Sequence, residues 1–208
     1  MISILDEPAA AAPATAAAPL AHRLTVATPG SGERAEHEAF VQAAYRRVHG
    51  ARVQSFMPTL LGLRDVFGQL ACVSGYRGGT GERLFLEQYL DRPVESMLAE
   101  RLGQPVARSE IVEVGNLASS GCRAAISMVA LLPRHLLSVG HHWIVFTATG
   151  TVHRLLDSLG VPMLELAAAD ATRVAAGADD WGSYYRNDPR VLAARLADGL
   201  NMRLPGRE

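Results

Sequence analysis

Apolar and polar positions along this chain follow two periods, and the change from one to the other marks its elements. Arg23–Ala27 (RLTVA) alternates as a short strand does. Turn residues follow at Thr28–Gly32. From Glu33 to Val48 the period lengthens, and Phe40, Ala43, Ala44 and Val48 fall on one helical face. Acidic residues come early in this helix and Arg46-Arg47 late, as the helix dipole favours. Thr59–Arg64 and Gln69–Tyr76 read as two strands about the turn Asp65–Gly68, a hairpin pattern. Gly78, Gly79 and Gly81 make a flexible loop. Leu84–Leu90 is an apolar and aromatic run of either type. Pro93–Leu102 predicts a helix, with Pro93 placed for its first turn.

The second half alternates more regularly. Glu110–Leu117 (EIVEVGNL) predicts a strand, Ala118–Gly121 a loop, and Cys122 the start of a long helix. In that helix Ala125, Met128, Val129, Leu132 and Leu136 keep helical spacing, and Pro133 is expected to kink or end it. His142–Thr147 predicts a buried strand, Thr151–Leu159 a helix closed by Gly160, and Val161–Leu166 a further strand. This order predicts an α/β fold, with a sheet flanked by helices. Residues 23–208 are expected to form a single domain. Residues 1–22 read as a disordered Ala/Pro-rich leader, because Asp6, Glu7 and the prolines do not suit a secretory signal.

Composition narrows the function classes. Apolar residues make up 49% of the 208, enough for a substantial core. The formal net charge of -1 lacks the basic excess of a nucleic-acid binder. The longest apolar stretch, Ala124–Val139, is interrupted by Pro133, Arg134 and His135, so no integral membrane segment is expected. Two cysteines, Cys72 and Cys122, read as reduced thiols of a cytoplasmic protein. His135, His141, His142 and His153 form no ligand motif, and no metal is expected.

The candidate chemistry concentrates at Glu113–Arg123, where a strand, a loop of small residues and a helix meet. The first N–H groups of a helix have no intrahelical acceptor, and its dipole favours an anion. Ser119, Ser120 and Gly121 let a phosphate approach, and Arg123 adds charge. The same pattern occurs at ordinary strand-to-helix turns, so both readings stand on spacing alone. No P-loop and no dinucleotide fingerprint is present. Glu113, among Ile111, Val112 and Val114, is a partly buried general base, a solvent-facing strand residue or an ion-pair member. Gly115 suggests a bulge. Glu87 and Asp91 lie four apart and would share a helical face.

IVEVGNLA (Ile111–Ala118), LFLEQYLD (Leu84–Asp91), GYR (Gly75–Arg77), VFTAT (Val145–Thr149) and WGSYY (Trp181–Tyr185) together resemble the thermostable hemolysin family. That family is similar to the GNAT superfamily and to the acyl-homoserine-lactone synthases. The resemblance implies a GNAT-like central mixed sheet flanked by helices. It also implies transfer of an acyl group from acyl-CoA or a phosphopantetheine-linked acyl carrier protein to a small-molecule amine acceptor. Glu113 would be the base. Trp181–Tyr185 would either line an acyl tunnel, with Tyr184 or Tyr185 donating a proton to the leaving thiolate, or form a C-terminal clasp over the sheet. Asn116, Leu117, Ala118, Ser119, Ser120, Gly121 and Arg123 would hold the donor, and Glu87 and Asp91 the amine. The synthases carry an arginine where Asn116 stands, which sets this chain apart from users of S-adenosylmethionine. The family name implies an alternative, a membrane-active protein without enzymatic activity. The sequence leaves the oligomeric state open.

Overall fold

The computed structural model describes residues 23–174 and 178–204. The predicted leader lies outside them. Among the described residues seven strands form one sheet: β1 (Arg23–Ala27), β2 (Thr59–Arg64), β3 (Leu70–Gly78), β4 (Ile111–Ser119), β5 (Trp143–Ala148), β6 (Leu164–Ala168) and β7 (Arg190–Arg195). Their spatial order is β1-β2-β3-β4-β5-β7-β6. Every neighbouring pair is antiparallel except β4 and β5. Among the described residues four α-helices cover the sheet: α1 (Arg34–His49), α2 (Val94–Leu102), α3 (Cys122–Ser138) and α4 (Gly150–Ser158). This is the mixed sheet flanked by helices that the sequence implied.

Strand alternation sends successive residues to opposite faces. On β4 and β5, Val112, Val114 and Phe146 join the core under α3 and α4, with Ala125, Met128, Leu132, Val152 and Leu156. Ile111, Trp143 and Val145 face the other way, against Leu86, Tyr89, Val94 and Leu98. Further along that second face, Val41 and Tyr45 of α1 pack on Leu60, Val73 and Ala118.

One irregularity shapes the centre of the sheet. Val73 pairs with Ala118, but Gly75 pairs with Gly115, so β4 carries an extra residue opposite β3. Asn116 takes it up with a φ of 51°, a left-handed conformation that Asn tolerates better than most residues. A bulge bends its strand and increases the local twist. The parallel ladder between β4 and β5 stops at the pair Val114–Phe146. Past this point β4 continues to Ser119 against β3 alone, and β5 continues to Ala148 against β7 alone. The two central strands therefore part, leaving a wedge between them.

Several expectations are corrected. Ala118 and Ser119 are not loop but strand, because they pair with Val73 and Cys72. Pro133 does not end its helix, which runs on to Ser138 with the proline ring buried. That ring packs on Gly199, where a Cβ would come within 2.7 Å of it. The run Leu84–Leu90 holds a 3-10 turn, Phe85–Tyr89, rather than an α-helix or strand. The strand expected at Val161–Leu166 lies at Leu164–Ala168. β7 was not anticipated: Val191, Leu192, Ala193 and Ala194 are all buried, so the strand shows no alternation.

Candidate active site

The open end of the wedge meets the start of α3. Ser119 Oγ donates to the Gly121 carbonyl at 2.6 Å and accepts the Gly121 N–H at 3.1 Å. The Ser120 N–H and hydroxyl both reach the Ala71 carbonyl, at 2.9 and 3.1 Å. These bonds fix the turn into the helix, whose first exposed residues are Cys122 and Arg123. The first-turn N–H groups and the dipole of this 17-residue helix make this an anion-attracting end.

The seven residues expected to hold a donor are thereby divided. Ser120, Gly121 and Arg123 stand at the helix end, with Ser119 buried beside them. Leu117 points into the apolar core under α3. Ala118 packs beneath α1. The Asn116 side chain ties the loop before β2 to the bulge: its Oδ1 accepts the Met57 N–H at 2.8 Å, and its Nδ2 donates to the Ser55 carbonyl at 3.5 Å. Gly75 makes room for that loop, since a Cβ there would lie 2.6 Å from the Met57 Cβ.

Glu113 sits just before the strands part and is 2% exposed. Its Oε2 accepts the Phe85 N–H at 2.8 Å and its Oε1 the Leu86 N–H at 2.9 Å. Burial pushes its pKa up, and the two N–H groups and nearby Arg77 only partly oppose this. Arg77 is its cross-strand partner on β3. The solvated-surface reading of Glu113 is excluded.

Glu87 is held quite differently. Its Oε1 accepts from Arg108 at 2.7 Å and from the Val94 N–H at 3.1 Å; its Oε2 accepts from Arg108 at 2.8 Å and from the Leu84 N–H at 2.9 Å. Arg108 also reaches Glu95 at 2.6 Å and the Gly79 carbonyl at 2.7 Å. Burial opposes ionisation of Glu87, but Arg108 and the two N–H groups outweigh it and hold the pKa below the ordinary value. Asp91 is exposed and pairs with Arg173 at 2.7 Å. Both carboxylates border a hollow lined also by Arg83, Arg92 and Arg108. The expected shared helical face does not exist, because the 3-10 turn ends at Tyr89 and Leu90 is extended. With four donors on its two oxygens, Glu87 has no place left for an amine. Spacing gave no sign of Arg108, which lies 21 residues beyond its partner.

The segment Trp181–Tyr185 closes over the face that carries Glu113. Tyr184 is fully buried, and its hydroxyl donates to the Thr147 carbonyl at 3.2 Å, on the length of β5 that has left β4. The Tyr89 and Tyr185 hydroxyls lie 2.7 Å apart. Burial raises the pKa of both. Trp181 contacts the rings of Phe85, Tyr45 and Tyr184 at centroid distances of 6.1, 6.2 and 5.9 Å.

On the opposite face, under the parting strands, lies an apolar cavity of about 60 Å³. Val114, Leu117, Val129, Phe146, Val152 and Leu156 are among its walls. Cys72 is buried, which pushes its thiol up to about 12, whereas Cys122 is exposed; neither is in a disulfide.

The family profile described as thermostable hemolysin matches residues 27–200. The chain belongs to the thermostable hemolysin family. No curated protein matches this hemolysin-family chain. Solved structures of similar fold include LasI, an acyl-homoserine-lactone synthase, with a TM-score of 0.59 and 12% identity over 91% of this chain and 100% of that one. FeeM, an N-acyl amino acid synthase from uncultured soil microbes, gives 0.55 and 14% over 86% and 93%. A putative N-acetyltransferase from Lactobacillus plantarum gives 0.53 and 11% over 85% and 99%. At such identities the likeness establishes the fold, that of acyl-homoserine-lactone synthases and GNAT-like N-acetyltransferases.

Proposed function

We propose that this hemolysin-family protein is an N-acyltransferase, moving an acyl group from acyl-CoA or an acyl carrier protein to an amine. The observation that carries the reading is the wedge. It opens at Val114 and Phe146, which are both walls of the apolar cavity, one residue past the buried Glu113, and β4 then runs on towards the start of α3. A thioester lying in such a wedge has its acyl chain directed at the cavity walls. Its phosphate meets Ser120, Gly121, Arg123 and the first N–H groups of α3. Beyond Val114 the β5 side of β4 has no ladder partner, so backbone N–H groups near Asn116–Ala118 are available to polarise the thioester carbonyl.

The amine nitrogen attacks the thioester carbon from the Glu113 side. The C–N bond forms, the C–S bond breaks, and the electron pair leaves on sulfur. Glu113, its basicity raised by burial, accepts the proton that nitrogen releases, through a water. Tyr184, whose hydroxyl lies at Thr147 on the open stretch of β5, donates the proton that the thiolate takes up. Acyl thioesters are made in the cytoplasm, and the reading carries that location with it. The test is release of free thiol from an acyl-CoA series in the presence of amines, with the amide detected by mass. Glu113→Gln is expected to keep donor binding and lose turnover; unchanged turnover rejects Glu113 as the base.

One feature favours a second, membrane-active reading. Val66 and Phe67, at the β2–β3 turn, are 63% and 85% exposed. Among the described residues no helix is long and apolar enough to cross a membrane. Leakage of phospholipid vesicles by pure protein, with no thioester present, would favour this reading.

A further inference from the structure

The acceptor side of the wedge has a chemical character of its own. Three segments converge on the face that carries Glu113: the loop before β2, the 3-10 turn Phe85–Tyr89, and Trp181–Tyr185. Asn116 fixes the first through Met57 and Ser55. Glu113 fixes the second through Phe85 and Leu86. The third is tied to the first, where the Arg52 N–H donates to the Asp180 carbonyl at 2.6 Å. Each segment brings half-buried aromatic rings: Phe56 from the first, Phe85 from the second, Trp181 and Tyr185 from the third. Phe56 and Trp181 edge the core under α1, while Phe85 and Tyr185 edge the neighbouring core over β4 and β5. The four rings therefore follow the seam between the two cores, with Phe85 and Trp181 6.1 Å apart.

A cation leaves the same face of the sheet. Arg77 is directly across from Glu113 on β3, so both side chains leave the same face of the sheet. Its side chain is 25% exposed, and among the described residues its ion pair is a loose one, 3.9 Å from a Glu82 that is itself 88% exposed. Every donor bond of Arg108 that the same face provides is short and matched, so the contrast is one of setting rather than residue type.

We infer that the acceptor is an α-amino acid with a flat apolar side chain. Its carboxylate pairs with Arg77, its side chain lies on the rings of Phe85 and Trp181, and its amino group is left towards Glu113 and the wedge. A guanidinium with open donors suits a carboxylate, which it binds through two parallel bonds. Half-buried aromatic rings gain by covering apolar area and stacking. This rests on the transferase reading and assigns the acceptor class within it.

Octanoyl-CoA as donor and three acceptors provide the test: L-phenylalanine, phenethylamine, which lacks the carboxylate, and L-alanine, which lacks the ring. Phenylalanine is expected to exceed phenethylamine in kcat/KM by about 30-fold, the scale of hydrogen bonds to a charged group. It should exceed alanine by about tenfold or more. Arg77→Ala collapses the first ratio towards one, and Arg77→Lys retains part of it. Trp181→Ala lowers the second ratio and leaves the first. Thermal shift with octanoyl-CoA checks folding and donor binding in each variant, and the wild-type ratios stand if a variant fails to fold. Equal use of phenylalanine and phenethylamine, or a ratio that survives Arg77→Ala, overturns the inference while leaving the transferase reading in place. Transfer to no amine at all overturns both.

Discussion

Glu87 and Glu113 are both buried, and both accept N–H groups from residues 84–86, yet their electrostatic settings are opposite. Glu87 faces Arg108 through two bonds and has a lowered pKa. Among the described residues Glu113 has only backbone donors on its oxygens, and its pKa is raised. The first arrangement satisfies a charge and anchors the approach to α2. The second keeps a carboxyl group close to its proton, which is the property a general base or acid requires. Burial alone does not single out a candidate carboxylate; burial with no matched cation among the described residues is what singles out Glu113.

Substitutions can break this comparison. The largest effect is expected for Glu113→Gln, with kcat lowered by about 100- to 10,000-fold and donor binding retained, measured by thiol release and thermal shift. Glu87→Ala should act on stability instead. It leaves a partly buried guanidinium and two N–H groups without their acceptor, at a cost of about 3 kcal/mol. For a chain of this size that lowers Tm by about 6–12 °C, readable by calorimetry. If Glu87→Ala abolishes turnover at unchanged Tm, the division of roles is wrong. A third change sharpens the cavity. Val129→Phe fills part of the apolar space under the wedge and should shift preference to shorter acyl chains by about tenfold, measured as kcat/KM across an acyl-CoA series.

The smallest effect is in the pH dependence of stability, and its sign differs between the two residues. Glu87 has a folded pKa below the ordinary 4.5, so its contribution is present above that value and is lost as pH falls through the folded one. Glu113 has a folded pKa above 4.5, so its contribution is present below that value and is lost as pH rises through the folded one. Denaturant melts from pH 3 to 9 should therefore show Glu87→Gln losing acid-side dependence and Glu113→Gln losing it on the neutral side.

Much of the fold was legible because it rests on local periodicity. β1 falls where alternation placed it, β2 where the hairpin pattern placed it, and α1 within a residue of its expected ends. β7 was not, since burial on both faces erases alternation. Ala118 and Ser119 carry no strand signal; pairing with β3 over the bulge places them in β4. At the site, Glu113 stood out as an acidic residue set among Ile111, Val112 and Val114. The role of Glu87 was not legible, because Arg108, Val94 and Leu84 converge on it only in three dimensions. Arg77 was visible only as part of the GYR motif; its position across from Glu113 depends on the register of β3 and β4.

The central claim is that Glu113 serves an acyl transfer made in the wedge between β4 and β5. Its most direct test is mass detection of the amide formed from octanoyl-CoA and an amine, quantified against the thiol released, for the wild-type protein and Glu113→Gln side by side. The account predicts amide and thiol in equal amounts from the wild type, and neither above background from a folded, donor-binding Glu113→Gln. Amide formed equally by both proteins, or by neither, contradicts it.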